Sequence, residues 1–316
     1  MFLEKSHFSC YDNLVVKARN KPNIVRIIMI KTIFQNKRPT LSFEVFPPKK
    51  EGEFTTVYDT LDTLSRLNPD FISVTYGAGG SKSKQTVEIA SYIANQLHIE
   101  SLAHLTCVGF TSDDLFEVCD TLKNSGIINV LALRGDRPQF MSDQQFNNRE
   151  FLYASEMISF LKKYTSFDIG AACYPEKHYE ADSKDSDLFH LKEKVTNGAD
   201  FLISQLFFNN QCFYDLKEQA SSVGIHVPIC AGIMPITSSK QLGTTISLSG
   251  SSVPKKLADL IANYGDNAYD MRKAGIEFAI SQILDLIKHD VDGIHIYTMN
   301  KPDIASEIVA GISSYL

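Results

Sequence analysis

The chain lacks any apolar run approaching 18 residues, so no segment has the length and continuity of a membrane-spanning helix. It has no surplus of positive charge. Lys and Arg total 31 against 37 Asp and Glu, a net of −6, which gives no broad attraction to phosphate backbones and no expectation of nucleic-acid binding. The six cysteines, Cys10, Cys107, Cys119, Cys173, Cys212 and Cys230, include no CxxC pair, and the closest two are 12 residues apart. Zinc knuckles and iron–sulfur clusters use closely spaced ligands, so no sequence-local metal site is expected. Cys107, Cys173 and Cys230 sit in apolar runs, where a thiol behaves as a small buried hydrophobe, and a reducing cytoplasm is the expected compartment. No Walker motif, HExxH or GxSxG occurs, which removes the usual support for P-loop, zincin and α/β-hydrolase readings.

The amino terminus lacks the continuous apolar core of a signal peptide, because Glu4, Lys5, His7 and Asp12 interrupt it. The stretch from Ile24 to Phe34 is apolar but broken by Arg26 and Lys31. With Met29 internal and orderly patterning beginning near Thr40, residues 1–39 read as an extension and lead-in, the first 28 as an upstream-start segment. No Pro-rich or Gly/Ser linker divides the remainder, so residues 40–316 are expected to form a single domain.

What the chain does have is alternation. Eight β-rich runs begin at Leu41, Phe71, Ser101, Asn129, Asp168, Phe201, Pro228 and Gly293. Most are nearly continuous in apolar residues, as expected for parallel strands covered on both faces. Helical spacing fills the gaps: Phe54 to Leu67, Lys84 to Leu97, Ser112 to Asn124, Glu150 to Tyr164, Asp187 to Asn197 and Cys212 to Ser222. The long gap before the eighth run holds two more candidates, Val253 to Asn263 and Ala268 to His289. Early strand starts recur at about 30 residues, the size of one βα unit. The expected fold is therefore α/β, a (β/α)8 TIM barrel with extra helices between strands 7 and 8; a doubly wound sheet is the alternative.

In such a barrel, chemistry gathers at the carboxyl ends of the strands. Those ends give Glu44, Thr75, Tyr76, His104, Thr106, Arg134, Asp136, Tyr174, Glu176, Gln205 and Tyr297. Glu44 lies between Phe43 and Val45, with Pro47 and Pro48 ending the strand. Desolvation there would keep its carboxyl protonated, as a general acid requires, and the alternative is a buried ion pair with Arg134 or a lysine. Arg134, Gly135 and Asp136 spell an adhesion tripeptide, but they follow a buried run rather than occupying an exposed loop. Ligand contact and a rim salt bridge are the two readings left. The turn from Tyr76 to Ser81 is glycine-rich, suited to an anion or a flat ring, though many βα turns share that composition. Alone, His104 reads as a satisfied core histidine and the charged run from Lys192 to Lys194 as a solvated helix face.

The motifs SFEVFPPK, FISVTYGAGG, AHLTCVG, VLALRGD, AACYPEKH, ISQLFF, AGIMPI and HIYTMNK occur in that order from Thr40 to the end of the chain. Together they resemble the 5,10-methylenetetrahydrofolate reductase family. The resemblance implies a flavin-holding (β/α)8 barrel in which reduced flavin passes hydride to the methylene carbon of methylenetetrahydrofolate. By it, Glu44 matches the general acid and Asp136 the carboxylate near flavin and pterin. Gln205 matches a pterin-binding residue, and Tyr297 and Lys301 match the p-aminobenzoyl-glutamate side. Thr75, His104, Leu133, Arg134, Gly135, Tyr153, Ala154, Ala172, Tyr174, His178, Asp187 and Lys194 match flavin-contacting positions.

The resemblance further implies FAD, with FMN as the alternative, NADH as electron donor, and an oligomer. Three departures stand out. His190 replaces a common Asn, and Glu193 stands where some relatives carry a basic residue, which bears on FAD against FMN. Thr245 aligns with a Phe that stacks the nicotinamide, so either NADH stacks differently or a partner protein delivers the electrons. The chain ends soon after the eighth unit, so control by adenosylmethionine is not expected. A flavin- or folate-binding barrel without turnover is the reading from outside enzymology, and the Glu44, Asp136 and Gln205 set argues against it.

Overall fold

The computed structural model describes residues 28–48, 54–76, 80–138 and 140–316. The upstream-start segment up to residue 27 and residues 77–79 of the glycine-rich turn lie outside these residues. Eight strands form: β1 (Thr40–Val45), β2 (Phe71–Val74), β3 (Glu100–Thr106), β4 (Asn129–Leu133), β5 (Asp168–Cys173), β6 (Phe201–Ser204), β7 (Ile229–Ile233) and β8 (Gly293–Tyr297). They pair in chain order and in parallel, and β8 returns to β1 to close the barrel. Almost every strand residue is buried, because helices cover the outer face and side chains fill the inner one. The expected α/β barrel is the fold observed.

Between the strands run α2 (Phe54–Ser65), α3 (Gly80–Asn95), α4 (Ser112–Asn124), the short exposed α5 (Asp143–Asn147), α6 (Ala154–Tyr164), α7 (Lys184–Thr196) and α8 (Asn210–Ser222), preceded by α1 (Ile30–Asn36). After β7 come α9 (Ser239–Ser249), α10 (Lys255–Tyr264) and α11 (Ala268–Lys288), and α12 (Pro302–Ile312) follows β8. Local chemistry sets several starts. Thr111 and Asp114 form a reciprocal capping box on α4, and Asn267 accepts from Tyr269 N and Asp270 N to start α11. Three helices, not two, fill the long gap; Ser238 caps the additional one by accepting from Gln241 N.

The lead-in segment contributes more than a lead-in. Ile30 and Phe34 of α1 are fully buried against Phe71, Leu102, Leu131, Phe201, Ile203 and Cys230 at the amino-terminal end of the barrel. Phe34 packs 6.3 Å from Phe71 and 5.7 Å from Phe201, ring to ring. Seven residues are too few for an isolated helix to persist in water. Burying two such side chains contributes roughly 3–6 kcal/mol, enough to hold it. Backbone anchors add direction: Ile30 N donates to Asn129 Oδ1 at 3.1 Å and Lys31 N to Asp168 Oδ2 at 2.8 Å.

Candidate functional site

At the opposite, carboxyl-terminal end the strand termini enclose two joined cavities. The larger, about 800 Å³, is lined by Glu44, Thr75, His104, Gly135, Asp136, Gln205 and Tyr297 among others. The smaller, about 300 Å³, is lined by Tyr153, Ala154, Asp187 and Lys194. Leu133, Arg134, Ala172, Tyr174 and His178 line both and form the wall between them. Two candidate residues stand apart: Lys301, exposed at the amino-terminal cap of α12, and Glu176, which lines neither cavity and accepts from Ser252 N at 3.1 Å.

Glu44 is 7% exposed. Strand alternation turns it into the barrel while Phe43 and Val45 pack outward, and its register neighbours are Ser73 on β2 and Tyr297 on β8. Its Oε2 lies 3.4 Å from His104 Nε2 and 3.7 Å from His295 Nε2. The ion-pair alternative with Arg134 does not form, because Arg134 pairs with Glu180, a carboxylate that Tyr179 also bonds at 2.9 Å. Burial pushes the His104 imidazole down to about 4, so it is neutral at pH 7, and its Nε2 is buried without a hydrogen-bond partner. His104 is thus not the satisfied core histidine of the bland reading.

Tyr297 donates to the Ser204 carbonyl at 2.7 Å. Burial, then the neighbouring Glu44 carboxyl, pushes its hydroxyl well above the ordinary tyrosine value, so it remains a donor. The ring passes over Gly232: a Cβ there would lie 2.8 Å from the ring and closer still to the Ser204 carbonyl oxygen. Gly135 has φ +83°, and a Cβ on it would meet Thr106 Cβ at 2.8 Å. Glycine is therefore required where the chain turns between Arg134 and Asp136. Asp136 is exposed at the mouth, and Gln205 accepts from Leu206 N at 2.9 Å through Oε1, leaving its amide nitrogen as the donor available to the cavity.

In the smaller cavity Lys194 Nζ donates to the Ala172 carbonyl at 2.9 Å and lies 5.6 Å from the Tyr174 ring centre. Burial holds its ammonium below the usual lysine value, against the pull of Asp187. Asp187 accepts from His178 N at 3.2 Å, and the His178 ring meets Tyr174 edge-on at 4.7 Å. Burial, then Arg134, lowers His178 as well. Glu193 lies outside the lining, tied to His190 Nδ1 at 2.8 Å, while the His190 ring stacks on Tyr153 at 6.0 Å. Its charge is thus directed to a histidine and not into the cavity. Thr245 is 8% exposed within α9 and lines neither cavity.

The sequence reading missed His295. The available signal was alternation: two residues before Tyr297 on the same strand, it shares the inward face.

A family model described as methylenetetrahydrofolate reductase matches residues 29–313. The 5,10-methylenetetrahydrofolate reductase of Escherichia coli K12 is 34% identical over 268 residues, 85% of this chain and 88% of that one. Methylenetetrahydrofolate reductase (NADH) 1 of Arabidopsis thaliana is 34% identical over 282 residues, 86% of this chain but 48% of that one. Among solved structures, an uncharacterized Clostridium thermocellum protein that binds two copies of 5-methyl-5,6,7,8-tetrahydrofolic acid superposes with a TM-score of 0.64 at 15% identity. That match covers 91% of this chain and 99% of that one, and it speaks to fold alone.

Proposed function

The chain belongs to the methylenetetrahydrofolate reductase family, and from that premise we propose that its two joined cavities hold a flavin and 5,10-methylenetetrahydrofolate, with Glu44 as the general acid. When bound, the reduced flavin supplies hydride for the methylene carbon, giving 5-methyltetrahydrofolate. The observation that carries the reading is a buried carboxyl, Glu44, at the floor of the larger cavity beside the unpartnered Nε2 of His104.

The residues present suit a flavin. Lys194 and Arg134 bring cationic groups to the lining, His104 offers a buried nitrogen without a partner, and the φ +83° backbone at Gly135 permits close approach. FAD is the cofactor proposed, with FMN the alternative. The pairing of Glu193 with His190 removes one electrostatic objection to a pyrophosphate near α7. Glu44 is placed to donate a proton to the folate nitrogen that leaves the methylene bridge, at a buried position on the barrel floor. Asp136 sets the local field near the ring systems, the Gln205 amide donates to the pterin, and Tyr297 and Lys301 face the p-aminobenzoyl-glutamate side.

NADH is the proposed donor, in line with the name of the Arabidopsis relative. A second reading, electron delivery by a partner protein, is favoured by the burial of Thr245 and by the lack of any aromatic residue in α9. The test is product analysis: protein reconstituted with FAD, given methylenetetrahydrofolate and a reductant, should form 5-methyltetrahydrofolate. Glu44→Gln should keep the flavin and lose about 100-fold or more of the turnover. A Glu44→Gln variant with full turnover removes the general-acid assignment.

A further inference from the structure

Side chains complete the backbone ladder that carries Glu44. Regular pairing of β1 with β8 ends at Glu44 and Tyr297, and beyond it the turn from Thr298 to Lys301 takes over. Thr298, 3% exposed, donates its hydroxyl to the Glu44 carbonyl at 2.6 Å. Asn300 meets both backbone groups of Phe46: its Oδ1 accepts from Phe46 N at 2.9 Å, and its Nδ2 donates to Phe46 O at 3.0 Å. From the other side, Thr75 N donates to the Val45 carbonyl at 3.1 Å. The carbonyls of residues 44, 45 and 46 are all taken, two of them by side chains 254 residues away in the chain.

The turn adopts a costly backbone to reach them. Met299 and Asn300 both have φ +53°, in the left-handed region that residues with a Cβ seldom enter. Asn tolerates that region, but Met299 has no such preference, and its side chain is 41% exposed. Inside the turn, Asn300 N donates to Thr298 Oγ1 at 3.2 Å and Lys301 N to the Thr298 carbonyl at 2.9 Å. Strained residues persist where the surrounding contacts over-determine them, and here those contacts converge on the segment from Glu44 to Phe46.

We propose that Asn300 and Thr298 are positioning residues for Glu44: they clamp the exit of β1 and thereby set the depth and direction of its carboxyl in the larger cavity. Neither side chain lines that cavity, so both act only through the backbone they hold. A misplacement of about 1 Å is enough to slow proton donation severely.

Because the proposal rests on the general-acid reading, a double-mutant cycle tests the two apart. Asn300→Gly is the discriminating variant, since glycine keeps the φ +53° turn without steric cost and removes only the amide. Thr298→Val removes the hydroxyl, and Thr298→Ser restores it. The measurement is stopped-flow reoxidation of dithionite-reduced, flavin-replete protein over a range of methylenetetrahydrofolate concentrations. Asn300→Gly and Thr298→Val should reoxidise about tenfold or more slowly at saturating folate, with flavin and folate affinities unchanged. Thr298→Ser should match wild type, and in a Glu44→Gln background Asn300→Gly should slow the step no further. Wild-type reoxidation in both Asn300→Gly and Thr298→Val overturns the proposal. Loss of flavin in both reduces the clamp to barrel closure and overturns it equally, as does an Asn300→Gly effect undiminished in the Glu44→Gln background. A Glu44→Gln single variant that reoxidises at the wild-type rate brings down the general-acid reading itself.

Discussion

His104 Nε2 and Glu44 Oε2 face each other at 3.4 Å across the floor of the larger cavity, and the imidazole nitrogen has no hydrogen-bond partner. Desolvation outweighs the attraction of the carboxyl and lowers His104 from 6.5 to about 4. Between those values the unfolded chain binds a proton that the folded protein refuses. His104 therefore contributes stability that is fully present above about pH 6.5 and is lost as pH falls through about 4. His178, lowered by burial and Arg134, acts in the same direction. The urea midpoint should fall between pH 6.5 and 4.5, and His104→Gln should flatten that slope. A His104→Gln slope equal to wild type contradicts this.

At the other end of the barrel the sign reverses. Burial raises Glu100 and Asp168 to about 7 each, even though Ile28 N and Lys31 N donate to them. The folded protein retains protons the unfolded chain has released, so this contribution is complete below the ordinary carboxyl values and is lost as pH rises through about 7. Glu100→Gln keeps an acceptor for Ile28 N and should soften the fall in melting temperature between pH 6 and 8. Hydrogen exchange in α1 should slow at pH 8 in the same variant; exchange unchanged from wild type separates Glu100 from the docking of α1.

Gly232→Ala sets a Cβ against both the Ser204 carbonyl and the Tyr297 ring. Overpacking of this kind costs about 1–3 kcal/mol. The expected result is a lowered melting temperature together with weaker folate binding, because Tyr297 must move. Wild-type folate affinity in a destabilised variant would detach Tyr297 from the substrate.

Lys194→Met removes the ammonium from the smaller cavity while keeping the bulk of the stem. Loss of a charged hydrogen-bonding group of about 1.5–3 kcal/mol corresponds to roughly 10–100-fold in flavin dissociation constant. Fluorescence titration of the stripped protein with FAD and with FMN measures it. Equal loss for both flavins places the lysine by the part they share, and a loss confined to FAD places it by the distal half.

The barrel was legible because its strands are buried on both faces and so appear as continuous apolar runs. The carboxyl-end residues were legible because polar groups such as Glu44 and Arg134 interrupt those runs. α1 was not, since seven residues broken by Lys31 carry too little periodicity to separate a plug from a tail; only its tertiary contacts define it. α9 was not among the expected helices, because SKQLGTTISLS is polar and partly β-branched; the Ser238 cap and the packing of Leu242 hold it. His295 escaped notice because alternation places it inward without saying what it faces. The partners of Glu44, two imidazoles, come from strands 60 and more residues away in the chain, and no local pattern encodes that meeting.

Glu44 is proposed to donate a proton in folate reduction and to have no part in loading the flavin with electrons. Anaerobic stopped-flow of the flavin-replete protein separates the two half-reactions, with flavin bleaching by NADH followed by reoxidation on adding methylenetetrahydrofolate. Wild-type protein should complete both, and Glu44→Gln should bleach at the wild-type rate and stay bleached when the folate is added. Reoxidation of Glu44→Gln at the wild-type rate would contradict it.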